Sequence, residues 1–189
     1  ASWLLLKIMR FLATILVFAA AAFCAVTSHA QRWKNVAIPA PYSAGYYLDI
    51  YFLPSDPNLG WACDQLKGYV IRTTDGGDSW QGVTVAPGLP ACHLEYIQFL
   101  NPSVGYCSGP CGIFKSTDGG ASWSADLTPD STFSMWGGQF RNAQEGWFTG
   151  GGGCGNNIVL KTSDGAATFT VFHDTTEKQS VLSDPYWDA

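Results

Sequence analysis

The chain of 189 residues carries 15 acidic and 10 basic residues, a net charge of −5, and no basic run. An acidic surface of this kind repels phosphate backbones, which excludes nucleic acid as a partner. Its three histidines and six cysteines show no CxxC or HxxxH spacing, so neither a metal centre nor a cofactor is expected.

The first thirty residues read as a secretory signal. Met9 and Arg10 open it, Phe11 to Val26 forms the apolar core, and Ser28-His29-Ala30 is a small-x-small cleavage site. The apolar run falls short of the roughly 20 residues that cross a bilayer, so no stable membrane span is expected after cleavage. Bulky Phe23 ahead of Cys24 argues against lipid attachment at that cysteine. Loss of Lys7 and Arg10 with the signal leaves a net charge of −7 and five cysteines. Export to the periplasm, the cell surface or the medium then permits disulfides.

Beyond the signal, Trp33 to Pro39 parallels Trp80 to Pro87. Trp33 stands 19 residues before Phe52, as Trp80 stands 19 before Phe99. Residues 31–40 are therefore expected to be an outer strand that closes a ring. Residues 46–87, 92–128 and 133–173 then repeat one plan. An apolar segment ends in Phe52, Phe99 or Phe140, and a Gly-aromatic step follows (Gly60-Trp61, Gly105-Tyr106, Gly146-Trp147). Next come an apolar pair (Val70-Ile71, Ile113-Phe114, Val159-Leu160) and a polar box. Short elements rich in β-branched and aromatic residues, split by Gly, Asn, Pro and Asp, predict four strands per unit. No sustained 3.6-residue apolar period predicts a helix. Residues 174–189 fall where a fourth unit would start. The whole reads as all-β: an incomplete ring of about three four-stranded antiparallel blades, the amino-terminal part of a longer protein.

The box is written three times: RTTDGGDSW from Arg72, KSTDGGASW from Lys115, and KTSDGAATF from Lys161. Its aspartates, Asp75, Asp118 and Asp164, lie 43 and 46 residues apart. In each copy the carboxylate is expected to accept hydrogen bonds from turn N–H groups. Thr73, Ser116 or Thr162 precedes it, and Ser79, Ser122 or Thr168 closes the hairpin from the other side. Gly77 and Gly120 supply backbone conformations that a Cβ opposes. Trp80, Trp123 and Phe169 plug the hairpin with apolar area. The third copy has Ala166 in place of the second glycine, so a looser turn is expected there. Three copies at one spacing point to a clamp, not a catalyst.

The pattern [ST]-x-D-x-G-x-[ST]-W resembles the Asp-box, or BNR repeat, of sialidases, xyloglucan-degrading glycosidases and sortilin-type receptors. The longer pattern, F…GW…G.I.KSTDGG.SW, is similar to the photosystem II assembly/stability factor-like family of bacterial secreted proteins. That resemblance implies a β-propeller that helps another protein complex form, with no catalytic residues. A photosynthetic role does not follow from these residues.

Other residues are weighed against this background. Arg72, Lys115 and Lys161 precede the box in successive units and are candidate binding residues as an arc of positive charge. Gly109 and Pro110 tighten the turn between Cys107 and Cys111, so a local disulfide is expected. Cys154 is an alternative partner for Cys111, and Cys63 with Cys92 is expected to link the first two blades. Gly105 to Gly109 (GYCSG) mimics a nucleophile elbow, but a hairpin follows it where the elbow needs a helix. The enzymatic alternative is a sialidase-like or xyloglucanase-like glycoside hydrolase whose catalytic residues lie in missing blades. Arg32, Arg72 and Arg141 are too dispersed for a sialidase triad, and no carboxylate pair stands out. Tyr46, Tyr47, Tyr96 and Trp136 are candidate contacts for a protein or glycan partner.

Overall fold

Strands form where β-branched and aromatic residues run between turn formers, because only a pleated surface packs such side chains on both faces without crowding. The computed structural model describes residues 34–88, 92–151 and 157–173. The chain divides into two compact units, Ala1–Asn35 and Val36–Ala189. Of the first, only Lys34 and Asn35 are described; every sheet belongs to the second. The signal at residues 1–30 and the start of a fourth unit at 174–189 lie outside the described residues.

The first sheet runs in the order β1 (Tyr47–Leu53), β2 (Asp56–Asp64), β3 (Tyr69–Thr73) and β4 (Gln81–Thr84). The second contains β5 (Tyr96–Phe99), β6 (Gly105–Gly109) and β7 (Gly112–Ser116). The third contains β8 (Ser134–Phe140), β9 (Gly146–Gly151), β10 (Asn157–Thr162) and β11 (Thr170–His173). All pairings are antiparallel between sequence neighbours. A 3₁₀ turn at Tyr42–Ala44 is the one helical piece among the described residues. The all-β expectation therefore holds, and no closed ring forms among the described residues.

The structure departs from expectation in two places. Residues 31–40 are expected as an outer strand, and their described part, 34–40, is irregular. The second sheet has three strands where four are predicted. Residues 124–127 still track β7, with Ser124 N–H donating to the Lys115 carbonyl at 2.8 Å and Leu127 N–H to that of Ile113 at 2.8 Å. The return bonds go to side chains: Ser124 Oγ accepts from Lys115 N–H and Asp126 Oδ1 from Ile113 N–H, each at 3.0 Å. Side-chain oxygens standing in for backbone carbonyls satisfy the edge of β7 without a fourth strand.

The core is two layers of side chains, one between the first and second sheets and one between the second and third. Each rests on an aromatic pair. Trp61 of β2 stacks on Phe99 of β5 at 3.6 Å between centroids, and Tyr106 of β6 stacks on Phe140 of β8 at 3.9 Å. The paired glycine of each repeat makes room for the phenylalanine: a Cβ at Gly60, Gly105 or Gly146 would lie 2.5–2.6 Å from the ring. Gly-aromatic is thus a two-part device. The glycine seats the phenylalanine of its own sheet, and the next residue reaches the phenylalanine of the following one.

The cysteine pairing differs from expectation. Cys92 bonds to Cys111, with Cα atoms 5.1 Å apart, while Cys63 and Cys107 are buried free thiols. Cys107 sits inside β6, opposite Phe114, whereas Cys111 lies in the β6–β7 turn. The Cys107 thiol is buried in the first core layer, away from the turn, where Cys111 is bonded to Cys92. Cys63 and Cys92 both lie in the first core layer, but Cys92 is bonded to Cys111 and Cys63 stays a free thiol. Cys154 lies outside the described residues, and the bond to Cys92 occupies Cys111.

Candidate functional site

The three boxes adopt one geometry. In the first, Asp75 accepts from the Thr73 hydroxyl at 2.7 Å, the Ser79 N–H at 2.9 Å and the Ser79 hydroxyl at 2.6 Å. Thr73 Oγ1 in turn accepts from Gly77 N–H at 2.9 Å. Ser116, Asp118, Gly120 and Ser122 repeat this set, as do Thr162, Asp164, Ala166 and Thr168. The looser third turn is not found. Ala166 takes φ 68° where Gly77 and Gly120 have 97° and 84°, and every hydrogen bond of the box survives. One alanine in the left-handed region costs about 1–2 kcal/mol, which the intact clamp and the burial of Ala166 offset.

The box aspartates are unsuited to general acid or base work. The hydroxyl and N–H of Ser79 hold the Asp75 carboxyl down at about 2, those of Ser122 do the same for Asp118, and those of Thr168 for Asp164. Each carboxylate is exposed and spent within its own hairpin. A folded value below the unfolded value of about 3.9 gives stability that is complete above that pH and is lost as pH falls towards 2. Urea midpoints should therefore drop between pH 4 and 2. Replacing all three aspartates by asparagine should remove that part of the slope; an unchanged slope would assign it to other carboxylates.

The plugs differ between copies. The Trp80 indole donates to the Gly77 carbonyl at 3.1 Å and meets Phe52 edge-on. Trp123 meets Phe99 edge-on, but its buried indole nitrogen has no hydrogen-bond partner among the described residues. Phe169 packs against Phe148.

Arg72 and Lys115 do not form a free arc. Arg72 Nη1 donates to the Gly119 carbonyl at 3.3 Å, and Lys115 Nζ donates to that of Gly165 at 2.9 Å. The same carbonyls receive the Trp61 indole N–H at 2.9 Å and the Tyr106 hydroxyl at 3.0 Å. The second and third boxes thus present their first glycine carbonyl to the preceding sheet, where an aromatic and a cation hold it. Lys161 lies instead over the Trp147 ring, at 5.7 Å.

Sequence reasoning missed two cross-sheet residues and one buried turn cap. Gln98 Oε1 accepts from Phe140 N–H at 2.7 Å, its amide donates to the Phe140 carbonyl at 3.3 Å, and Asp49 Oδ2 accepts from Ile97 N–H at 2.8 Å. Asp64, fully buried, caps the turn after β2 by accepting from the N–H groups of Tyr46 and Lys67. The recurring Gln-Phe at 98–99 and 139–140 is the one sequence signal of this kind.

A cleft of about 420 Å³ opens between the second and third boxes, lined by Lys115, Ser122, Trp123, Ser124 and Leu127 among others. Its polar groups have other work: Lys115 holds Gly165, Ser122 holds Asp118, and Ser124 holds the β7 edge. What remains is a shaped, partly apolar recess with a hydroxyl rim, not a nucleophile–base pair. The dispersed arginines are likewise engaged: Arg141 pairs with Glu145 at 2.7 Å on an exposed loop, and Arg32 lies outside the described residues. Of the aromatic candidates, Tyr46 and Trp136 are 59% and 40% exposed. Tyr47 and Tyr96 are half-buried, with hydroxyls given to the Tyr42 carbonyl and Gln98 Oε1.

No family model matches the chain. The photosystem II assembly lipoprotein Ycf48 of Synechocystis sp. is 31% identical over 90 residues, covering 45% of this chain and 25% of Ycf48. The chloroplastic photosystem II stability/assembly factor HCF136 of Cyanidioschyzon merolae is 38% identical over 61 residues, covering 32% of this chain and 13% of HCF136. The chain thus spans a quarter or less of the curated relatives it matches. Among solved structures, YCF48 bound to D1 peptide superposes with a TM-score of 0.56 at 21% identity, over 67% of this chain and 40% of that one. YCF48 from Cyanidioschyzon merolae gives 0.57 at 23% identity, over 74% and 39%. An ancestral GH74 enzyme gives 0.60 at 21% identity, over 68% and 20%. By its sequence relatives and its sheets, the chain is a β-propeller protein similar to the photosystem II assembly factors.

Proposed function

We propose that the protein is an exported, non-catalytic propeller that binds a protein partner and scaffolds its assembly. The observation that carries this reading is the commitment of the repeated polar groups to the fold. With three carboxylates, Arg72 and Lys115 consumed by turns and sheet contacts, the surface offers shape and aromatic area in place of chemistry. The assembly-factor relatives and the peptide-bound neighbour support a protein, and within it a peptide segment, as the ligand. Tyr46, directly before β1, and Trp136, within β8, are the exposed aromatic anchors of that contact. Their exposure argues for a partner, since large aromatics left in water gain most from being covered. Among the described residues no helix is long and apolar enough to cross a membrane.

The test is capture from envelope extract by the immobilised full chain. Tyr46→Ala with Trp136→Ala should cut recovery of the captured protein at least tenfold while the urea midpoint stays within error. Equal recovery by the double variant would remove this face from consideration. The GH74 likeness favours a second reading, a glycoside hydrolase fragment, and the same preparation decides it: reducing sugar released from xyloglucan would establish the enzyme.

A further inference from the structure

Two fully buried thiols, Cys63 of β2 and Cys107 of β6, lie in the core layer between the first and second sheets. Strand alternation turns them towards each other. Cys63 stands two residues from Trp61 and shares its face, the one directed at the second sheet. Tyr106 is directed at the third sheet, so Cys107, one residue on, is directed at the first.

The two thiols also stand at one level. In the first sheet Tyr51 is opposite Trp61 and Asp49 is opposite Cys63. In the second, Phe99 is opposite Gly105 and Ile97 is opposite Cys107. Trp61 stacks on Phe99 at 3.6 Å, which sets the rung Tyr51–Trp61 against Phe99–Gly105. Asp49 Oδ2 accepts from the Ile97 N–H at 2.8 Å, which sets Asp49–Cys63 against Ile97–Cys107. One pair of residues in that meeting of rungs is already bonded; the cysteines are the other pair. Stacked sheets usually lie about 10 Å apart, and a disulfide needs Cα atoms within roughly 7 Å, so a bridge demands a place where the sheets are drawn together. The Asp49–Ile97 bond draws them together here. Burial, and after it the neighbouring Cys63, raises the Cys107 thiol well above its ordinary range.

We propose that Cys63 and Cys107 are an oxidation site, at which a small-molecule disulfide such as oxidised glutathione converts the pair to a second disulfide tying the first sheet to the second. The structure shows the reduced form of the pair. One cysteine, as thiolate, attacks the donor disulfide and expels one donor thiolate; the other attacks the resulting mixed disulfide and expels the second. Two cysteine thiols are oxidised, the donor is reduced to two thiols, and these take up the two protons. A fully buried thiol meets no donor, so the exchange belongs to the folding chain, before the layer closes.

The test is refolding of the full chain from urea in mixed reduced and oxidised glutathione, alkylation of the remaining thiols in denaturant, and tryptic digestion without reduction. Cleavage after Lys34, Lys67, Arg72 and Lys115 leaves Cys63 in peptide 35–67 and Cys92, Cys107 and Cys111 together in peptide 73–115. The two peptides should be recovered joined, with fragmentation placing the Cys63 bond on Cys107, and the joined species should fall at least tenfold in Cys107→Ala. Alkylated Cys63 in wild type, a bond from Cys63 to any other cysteine, or a link that persists in Cys107→Ala would each overturn the proposal. Stability supplies a second measurement. Dithiothreitol should lower the urea midpoint of wild type by more than that of the double variant Cys63→Ala, Cys107→Ala, which keeps only the Cys92–Cys111 bond. Equal shifts would overturn the proposal as well.

Discussion

Trp61→Ala should lower the free energy of unfolding by about 3–5 kcal/mol, the range for deleting a fully buried large aromatic. Trp61 is 2% exposed, lies flat against Phe99 with 5° between ring planes, and gives its indole N–H to the Gly119 carbonyl. Alanine removes the stack and leaves a cavity where the first two sheets meet. The hydrogen bond is the smaller part, because Arg72 also serves the same carbonyl. Trp61→Phe separates the two contributions: it keeps a ring over Phe99, loses the N–H, and should cost closer to about 1 kcal/mol on that account. Urea denaturation followed by tryptophan fluorescence and circular dichroism gives both values. A loss under about 1 kcal/mol for Trp61→Ala would show that the sheets are held elsewhere.

The residues of this contact were only partly legible in the sequence. The spacing of Phe52, Phe99 and Phe140 and of the Gly-aromatic steps places the strands, because strand periodicity and turn residues are local signals. The box is legible for the same reason: its hydrogen bonds close within a few residues of each aspartate. What the sequence conceals is direction across sheets. Nothing in Gly105-Tyr106 says that the glycine serves the phenylalanine of its own sheet while the tyrosine serves the next. Arg72 and Lys115 look like surface charges until the following box brings a carbonyl under them. The disulfide escaped for a similar reason, since Cys92 and Cys111 meet only after β6 has carried Cys107 away from the turn. In the second sheet, Ser124 and Asp126 imitate a strand by side-chain acceptance, which no hydrophobic pattern records. Ala166 shows the converse error: a missing glycine predicts loosening, yet the surrounding hydrogen bonds are strong enough to hold an alanine at positive φ.

Gly109→Val should destabilise the chain by at least about 3 kcal/mol, above the usual range for overpacking, because backbone and not a movable side chain stands in the way. A Cβ at Gly109 would lie 1.9 Å from the His93 carbonyl oxygen and 3.0 Å from Leu94 Cα. No rotamer change relieves that overlap; the segment 93–94 itself must move. That segment joins two sheets, since Leu94 N–H donates to the Asp64 carbonyl and Glu95 N–H to that of Ser108, at 3.0 and 2.8 Å. It is also fastened at Cys92 to Cys111, so displacement is resisted from both directions. Gly137→Ala is the matched comparison: its Cβ would meet only Thr149 Oγ1 at 3.3 Å, a side-chain atom able to give way, and the expected change is below about 1 kcal/mol. The pair also judges the resemblance of Gly105 to Gly109 to a nucleophile elbow. Cys107 is fully buried, and burial pushes its thiol well above the ordinary range, away from the thiolate a nucleophile requires. If Gly109→Val unfolds the protein while Cys107→Ala leaves partner capture unchanged, this glycine is there for the close approach of two backbone segments; a tolerated valine would mean that residues 93–94 are not held against β6.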